Sequence, residues 1–301
     1  MTTETVFGAF EQTARADGAK PFLHVPGGPE LTYREALERV GAIAARYRAR
    51  GWGAGHRVAL LLENRPEFLL HFLALNAVRA SVVPLNPDSR AAELEYVLGH
   101  SEAALVVTFP EHAAKFSGRT LAVLEGEPDP PQAGQPGEAS ECALLYTSGT
   151  TGKPKGCLLS ELYFLNLGRQ YVTEGGLCAV REGEERLITP LPLFHMNALA
   201  CSTMAMILAA GCIVQLDRFH PRTWWEHVAR SQATIVHYLG VMPAILLAQP
   251  EGPFDRAHRV RFGYGANANP KDHAAFEARF GFPLIEGWAM TETGGGAVVS
   301  A

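Results

Sequence analysis

The chain has 301 residues, 47% hydrophobic and 19% charged, with a net charge of −5. This composition suits one large packed α/β domain or two ordinary ones; it excludes a disordered chain and argues against a general nucleic-acid binder. The five cysteines stand at irregular spacing with no CxxC pair, so they form neither a disulfide framework nor a zinc site, and a reducing cytoplasm is their simplest home.

The opening MTTETVFGAFEQTARADG is polar and acidic, without a signal-peptide pattern. LTYREALERVGAIAARYRARG then begins with Thr32 and Glu35 in capping-box spacing. Its apolar positions Tyr33, Leu37, Val40, Ile43 and Tyr47 recur every three or four residues, which predicts an amphipathic helix ended by Gly51. RVALLLE is a continuous apolar run, as expected of a strand buried on both faces. Pro66 opens the helix PEFLLHFLALNAVRA, where its missing N–H costs nothing. SVVPL follows as a strand, AAELEYVLGHSE as a helix and ALVVTF as a strand. Residues 125–140, EGEPDPPQAGQPGEAS, predict a mobile surface loop, and ECALLY returns as a strand.

Further on, RLITPLP, CIVQL, ATIVHYLG, RVRFGYG and PLIEGW read as strands, PRTWWEHVARSQ and NPKDHAAFEARFG as helices. No Asp, Glu, Lys or Arg occurs from Leu187 to Leu216. The uninterrupted part, ALACSTMAMILAAGCIV, is about 17 residues, the short limit for a membrane span. Its small residues and flanking strands predict a buried core helix instead, and no membrane span is expected. The alternation of strand and helix implies an α/β fold of layered, mainly parallel sheets flanked by helices, with right-handed crossovers.

The densest chemistry is YTSGTTGKPKG, residues 146–156, directly after a strand. Glycine-rich loops after strands present converging N–H groups where no Cβ blocks a phosphate. Ser148, Thr150 and Thr151 add hydroxyl donors, Lys153 and Lys155 positive charge. The string is not a Walker loop, since no GxxxxGK[ST] runs through it.

The string resembles the signature of the adenylate-forming superfamily, which includes acyl-CoA synthetases. Three further segments agree in the family's order. PLFHMN within Leu191–Asn197 is similar to a PxxH segment, GYGAN (Gly263–Asn267) to an adenine-binding turn, and EGWAMTET (Glu286–Thr293) to a GYGMTE segment. Together they look most like acyl-CoA ligases of the carnitine/crotonobetaine-CoA ligase type. The resemblance implies the N-terminal large domain of such an enzyme, residues 1–301, stopping before a β-barrel and a C-terminal domain. Its expected subdomains are roughly 55–185, and 1–54 with 186–301.

The reaction implied is ATP-dependent: a carboxylic acid gives acyl-adenylate and pyrophosphate, then the acyl group passes to coenzyme A. A portion ending here would be poorly active alone. An adenylation domain loading a carrier protein, or a non-catalytic nucleotide-binding fragment, are the alternatives. By resemblance, Ser148, Gly149, Thr150, Thr151, Gly152 and Lys153 hold phosphates, Glu292 with Thr147 holds Mg²⁺, and Thr291 contacts the α-phosphate. Gly265, Ala266 and Asn267 lie along the adenine. Gly287, Trp288, Ala289 and Met290 line the nucleotide, Trp288 stacking on the base or else serving as core. His195 and Asn197 stand beside the carboxylate, His195 being either a gate or a satisfied core histidine. His237, Tyr238, Tyr264, Gly265 and Ala289 line the acyl pocket, where His237 and Tyr238 either read a polar group or are plain strand residues. No positive residue stands in those segments, so a monocarboxylic acid is expected. Homodimerisation stays open.

Overall fold

In the computed structural model, two sheets share one apolar core. The structure describes residues 4–126, 128–148 and 152–294, and the backbone of 296–300. In chain order the elements are α1 (Val6–Ala16), β1 (Pro21–His24), β2 (Glu30–Thr32), α2 (Tyr33–Ala49), β3 (Arg57–Leu61), α3 (Pro66–Ala77), β4 (Ser81–Pro84), α4 (Ala91–Ser101) and β5 (Leu105–Thr108). There follow α5 (Pro110–Ala113), β6 (Leu121–Val123), β7 (Ala143–Thr147), β8 (Lys155–Leu159), α6 (Glu161–Thr173), β9 (Arg186–Thr189), α7 (Thr203–Leu208) and β10 (Cys212–Gln215). The last are α8 (Trp224–Arg230), β11 (Ile235–Leu239), α9 (Val241–Leu247), β12 (Phe262–Ala266), α10 (Pro270–Phe280), β13 (Leu284–Ala289) and β14 (Gly296–Ser300).

The six-stranded sheet runs β6-β5-β3-β4-β7-β8, parallel except for the β7–β8 hairpin. The eight-stranded sheet runs β14-β13-β12-β11-β9-β10-β1-β2, antiparallel only at its two outer pairs. The predicted layers of mainly parallel sheet are therefore present. In β3 the side chains alternate between two cores: Val58 and Leu60 join the main core, Ala59 and Leu61 a smaller one beneath α4. That two-sided burial is why RVALLLE is apolar without a break. Every residue of α3 from Phe68 to Asn76 is buried, as suits a helix apolar all round. Both halves of the predicted capping box form: Glu35 N–H donates to Thr32 Oγ1 at 3.2 Å and Thr32 N–H to Glu35 Oε2 at 2.8 Å.

Three expectations change. The segment read as a mobile loop is tied down: Trp52 Nε1 donates to the carbonyl of Pro131 at 2.7 Å, Ala133 N–H to Arg50 at 2.7 Å and Gly55 N–H to Ala139 at 3.1 Å. The apolar core helix is shorter than its string, beginning as a π-helical turn over Asn197–Ser202 and ending at Leu208. Gly211 N–H closes that end on the carbonyl of Met206 at 2.8 Å, with Ala210 at φ +49°. No helix among the described residues is long and apolar enough to cross a membrane. Finally α1, α5, α6, α9, β1, β2, β6, β8 and β14 join the predicted elements.

Candidate active site

YTSGTTGKPKG becomes the turn of the β7–β8 hairpin, with Thr147 paired to Lys155 and Tyr146 to Gly156. Gly149, Thr150 and Thr151 lie outside the described residues. Strand alternation sends Tyr146 to the α4 side, where its hydroxyl meets His100 Nδ1 at 2.8 Å. Thr147 has the opposite parity and faces the eight-stranded sheet. Lys153 is on the α4 side, its ammonium 5.5 Å from the Tyr96 ring centroid, and Tyr96 Oη donates to the carbonyl of Pro154 at 3.3 Å. Ser148 is exposed, and Gly152 takes φ +90°.

The segment after β13 closes on the same hairpin. Thr293 and Gly294 N–H both donate to the carbonyl of Met290, at 3.2 and 3.3 Å, turning Thr291 and Glu292 back. Gly294 lies so close to the Tyr163 ring that a Cβ there would come within 2.4 Å of it. Burial raises the Cys157 thiol pKa, and the nearby Glu292 carboxylate raises it further, while a hydrogen bond with Thr147 opposes them. Tyr163 is raised by burial first and by its charged neighbours, Glu292 among them. The turn after β13 thus packs against Tyr163, and the Glu292 charge is felt at Cys157 and Tyr163. Glu292 is exposed and Thr291 half-buried.

At the carboxyl ends of β11, β12 and β13 a cavity of about 240 Å³ opens. Of the expected residues, Asn197, His237, Tyr264, Gly265, Ala266, Asn267, Gly287, Trp288 and Ala289 all line it. The register explains the assembly, since His237 pairs with Tyr264 and points to the same face. Gly265 is required there: a Cβ would sit 2.5 Å from the carbonyl of Tyr238. Gly287 likewise clears the Tyr264 hydroxyl, which a Cβ would approach to 2.8 Å. Asn267 takes φ +62° at the end of β12. Trp288 is 58% exposed, so it is a rim residue rather than a core one. Met290 is also exposed, outside the cavity lining.

Two expected residues stand elsewhere. Tyr238 has the opposite parity to His237 and points through the sheet, donating its hydroxyl to Glu286 Oε1 at 2.7 Å. Glu286 Oε1 also accepts from Ala268 N–H at 3.2 Å, so this pair braces the turn after Asn267 instead of lining the pocket. His195 packs at a tilt of 47° against Phe194, ring centroids 4.6 Å apart, and does not line the cavity. It keeps part of its surface open, and burial of the rest lowers its pKa.

His237 is 1% exposed and its Nδ1 hydrogen-bonds Ser202 Oγ. Burial pushes its pKa down to about 3, so the imidazole is neutral. Residue-by-residue reading missed Leu167, Gln170 and Tyr171 of α6, and Met196 and Cys201, which complete the walls. It also missed Asn64 at the end of β3. Asn64 Nδ2 donates to the carbonyls of Leu191 and Leu216 at 3.1 Å each, and Oδ1 accepts from Leu193 N–H at 2.9 Å, fixing the PxxH segment. Among the described residues no cluster of three or more His, Cys, Asp or Glu could hold a metal ion. Glu292 offers a single carboxylate, which suits a cation that keeps its waters and its ligand's phosphates rather than a protein cage.

The family model for AMP-binding enzymes matches residues 10–301. The chain belongs to that family. It is 32% identical over 299 residues to the sulfoacetate–CoA ligase of Cupriavidus necator, covering 91% of this chain and 57% of that one. It is 29% identical over 294 residues to the crotonobetaine/carnitine–CoA ligase of Salmonella paratyphi A, covering 88% and 56%. The O-succinylbenzoate coenzyme A synthetase of Bacillus subtilis, solved with AMP, superposes with a TM-score of 0.82 over 99% of this chain and 77% of that one, at 21% identity. This AMP-binding chain therefore spans a little over half the length of the curated relatives it matches.

Proposed function

We propose that this AMP-binding chain carries the nucleotide and acyl sites of an AMP-forming acid–thiol ligase. A carboxylate oxygen of the acid bonds to the α-phosphorus of ATP, and the α–β bridging oxygen leaves with pyrophosphate. The thiol sulfur of coenzyme A then bonds to the acyl carbon and AMP departs. The observation that supports this reading is the packing of the turn after β13, which carries Thr291 and Glu292, against Tyr163 at the start of α6, directly after the hairpin strand β8. Chemistry of this kind rests on positioning and charge neutralisation, which such a cleft supplies without a nucleophile–base pair.

In this reading Ser148, Gly152 and Lys153, with Gly149, Thr150 and Thr151, hold the β- and γ-phosphates. Thr291 meets the α-phosphate. Glu292 and Thr147 would hold the Mg²⁺ that accompanies ATP, which would supply charge neutralisation at the phosphates. Gly265–Asn267 and Gly287–Ala289 flank the adenine, Trp288 stacks on it, and Asn197 stands near the acid. The relatives' names support coenzyme A as acceptor, and the lobes are placed at roughly 55–185, and 1–54 with 186–301. The five free cysteines support a reducing cytoplasm.

Calorimetric titration tests the reading on the chain itself. Mg²⁺-ATP should bind, and Glu292→Gln should weaken it roughly tenfold while leaving AMP binding nearly unchanged. Equal affinities for Mg²⁺-ATP in the two proteins would remove Glu292 from the phosphate site.

A further inference from the structure

A second cavity lies at the edge of the six-stranded sheet opposite the phosphate hairpin. It measures about 280 Å³ and is walled by α2, α3 and β6. In the strand order β6 and β7 are four spacings apart, roughly 19 Å, so this cavity is separate from the cleft. Ile43, Leu70, Phe109, Ala122 and Leu124 give it an apolar lining. Arg39 and Glu67 bring opposite charges to the same lining, Arg39 from an exposed position and Glu67 from a half-buried one. Arg46 is also there and already has a partner.

One nitrogen opens onto this apolar space. His71 is 9% exposed, and its Nδ1 meets the Tyr47 hydroxyl at 2.8 Å. Nε2, on the other side of the ring, has no hydrogen-bond partner among the described residues, and it keeps surface open to the cavity that the ring lines. Burial first, then the Arg46 charge, lowers the His71 pKa to about 4, so the ring is neutral at pH 7. Nearly all buried polar groups in native proteins are paired, so Nε2 calls for a partner that the chain does not supply.

Those features narrow the guest. A charged molecule gains little, because charges of both signs stand in the lining while the apolar walls strip its water. A hydrocarbon fills the walls but leaves Nε2 unmet. A nucleotide or coenzyme A is too large and too charged for so small an apolar space. An alcohol meets Nε2 whichever tautomer the Tyr47 contact selects, since a hydroxyl both donates and accepts. Its hydrocarbon part packs on Leu70 and Phe109.

We propose that the cavity between α2 and α3 is a second binding site, which takes a compact uncharged alcohol whose hydroxyl is held by His71. The site lies outside the adenylate-forming reading above and stands whether or not that reading holds.

The test is titration of the chain with benzyl alcohol, toluene, benzoate and phenylalanine, followed by NMR of ¹⁵N-labelled histidine and ¹³C-labelled leucine methyls. Benzyl alcohol should shift His71 Nε2 and the Leu70 methyls saturably, and should bind roughly fivefold more tightly than toluene, the scale of one net hydrogen bond. In the double variant Tyr47→Phe with His71→Phe, which leaves no orphan hydroxyl, the two should bind within about twofold of each other. Ile43→Trp fills the cavity from α2 without touching the Tyr47–His71 pair, and should abolish the Leu70 shift. No saturable shift at His71 overturns the proposal, as does a shift confined to His237. Tighter binding of benzoate or phenylalanine than of benzyl alcohol overturns it too, since the charges in the lining would then choose the guest. So does a preference for benzyl alcohol over toluene that survives in the double variant. Should that variant fail to fold, Ile43→Trp decides: a Leu70 shift that persists in it removes the site.

Discussion

Cys157 reports on whether Glu292 lies across the cleft from the hairpin. Its thiol pKa is raised by burial and then by the Glu292 charge, so removing that charge must lower it. Alkylation of Cys157, followed by peptide mapping against pH, should show a lower apparent pKa in Glu292→Gln than in the unmodified chain. An unchanged profile would separate the turn after β13 from β8, whatever the activity. The measurement is practical because Cys157 is partly open, while Cys142, Cys178 and Cys212 are buried. Burial also drives the Cys201 thiol up to about 12. Lys153 makes a different point. From its position over Tyr96, the phosphate role proposed for it requires Lys153 to leave an aromatic ring. A cation–π contact at a partly exposed site is worth about 0.5–1 kcal/mol, so that contact biases the loop without locking it.

Asn64 shows how one side chain at a strand end holds a whole segment. Three hydrogen bonds to Leu191, Leu193 and Leu216 join the end of β3 to the PxxH segment and the end of β10, bridging the two sheets. Asn64→Leu leaves the buried Leu193 N–H without a partner, while Gln215 Nε2 still donates to the carbonyls of Leu216 at 2.9 Å and Leu191 at 3.4 Å. It should cost about 1–3 kcal/mol in urea denaturation, the scale of one unsatisfied buried group. A loss under about 0.5 kcal/mol would mean the strap carries no load. Sequence patterning could not reveal it, because an asparagine between apolar runs reads as a turn. Patterning did reveal α2, whose capping box and apolar spacing act within one turn, and the strands whose side chains are buried on both faces. It missed α6, although Ser160 accepts from Tyr163 N–H at 3.2 Å as its N-cap and Phe164, Leu167 and Tyr171 fall on one side. The motif just before it drew that stretch into a loop. The site was legible where backbone chemistry demands particular residues, as at Gly265 and Gly287. It was illegible where strand parity decides, as for Tyr238, and where a distant helix supplies the wall, as for Tyr171.

The shared core makes the stability of the whole molecule depend on two buried histidines. His71 on α3 accepts from or donates to the Tyr47 hydroxyl at 2.8 Å, and His237 on β11 meets Ser202. Burial, aided at His71 by the charge of Arg46, lowers the His71 pKa to about 4; burial alone lowers His237 to about 3. In the unfolded chain both titrate at the ordinary value near 6.5. Between those values the unfolded state binds protons that the folded state refuses, so stability rises with pH across the window and is fully present above it. Acidification from pH 7 to 4.5 should therefore remove a few kcal/mol, roughly one per pH unit for each histidine. The carboxylates held below their usual range, such as Glu141 beside Arg57 and Asp217 beside His220, act in a separate window. Their contribution is present above the ordinary carboxylate pKa and is lost as pH falls below it. Loss between pH 6.5 and 4.5 thus reports the histidines. Urea midpoints at pH 7.0, 6.0, 5.5 and 5.0 should decline steadily, and His71→Gln should flatten the decline in part, since His24, His195, His227 and His258 are also held below the ordinary value. A midpoint constant from pH 7 to 5 would show that neither ring is held neutral in the folded core.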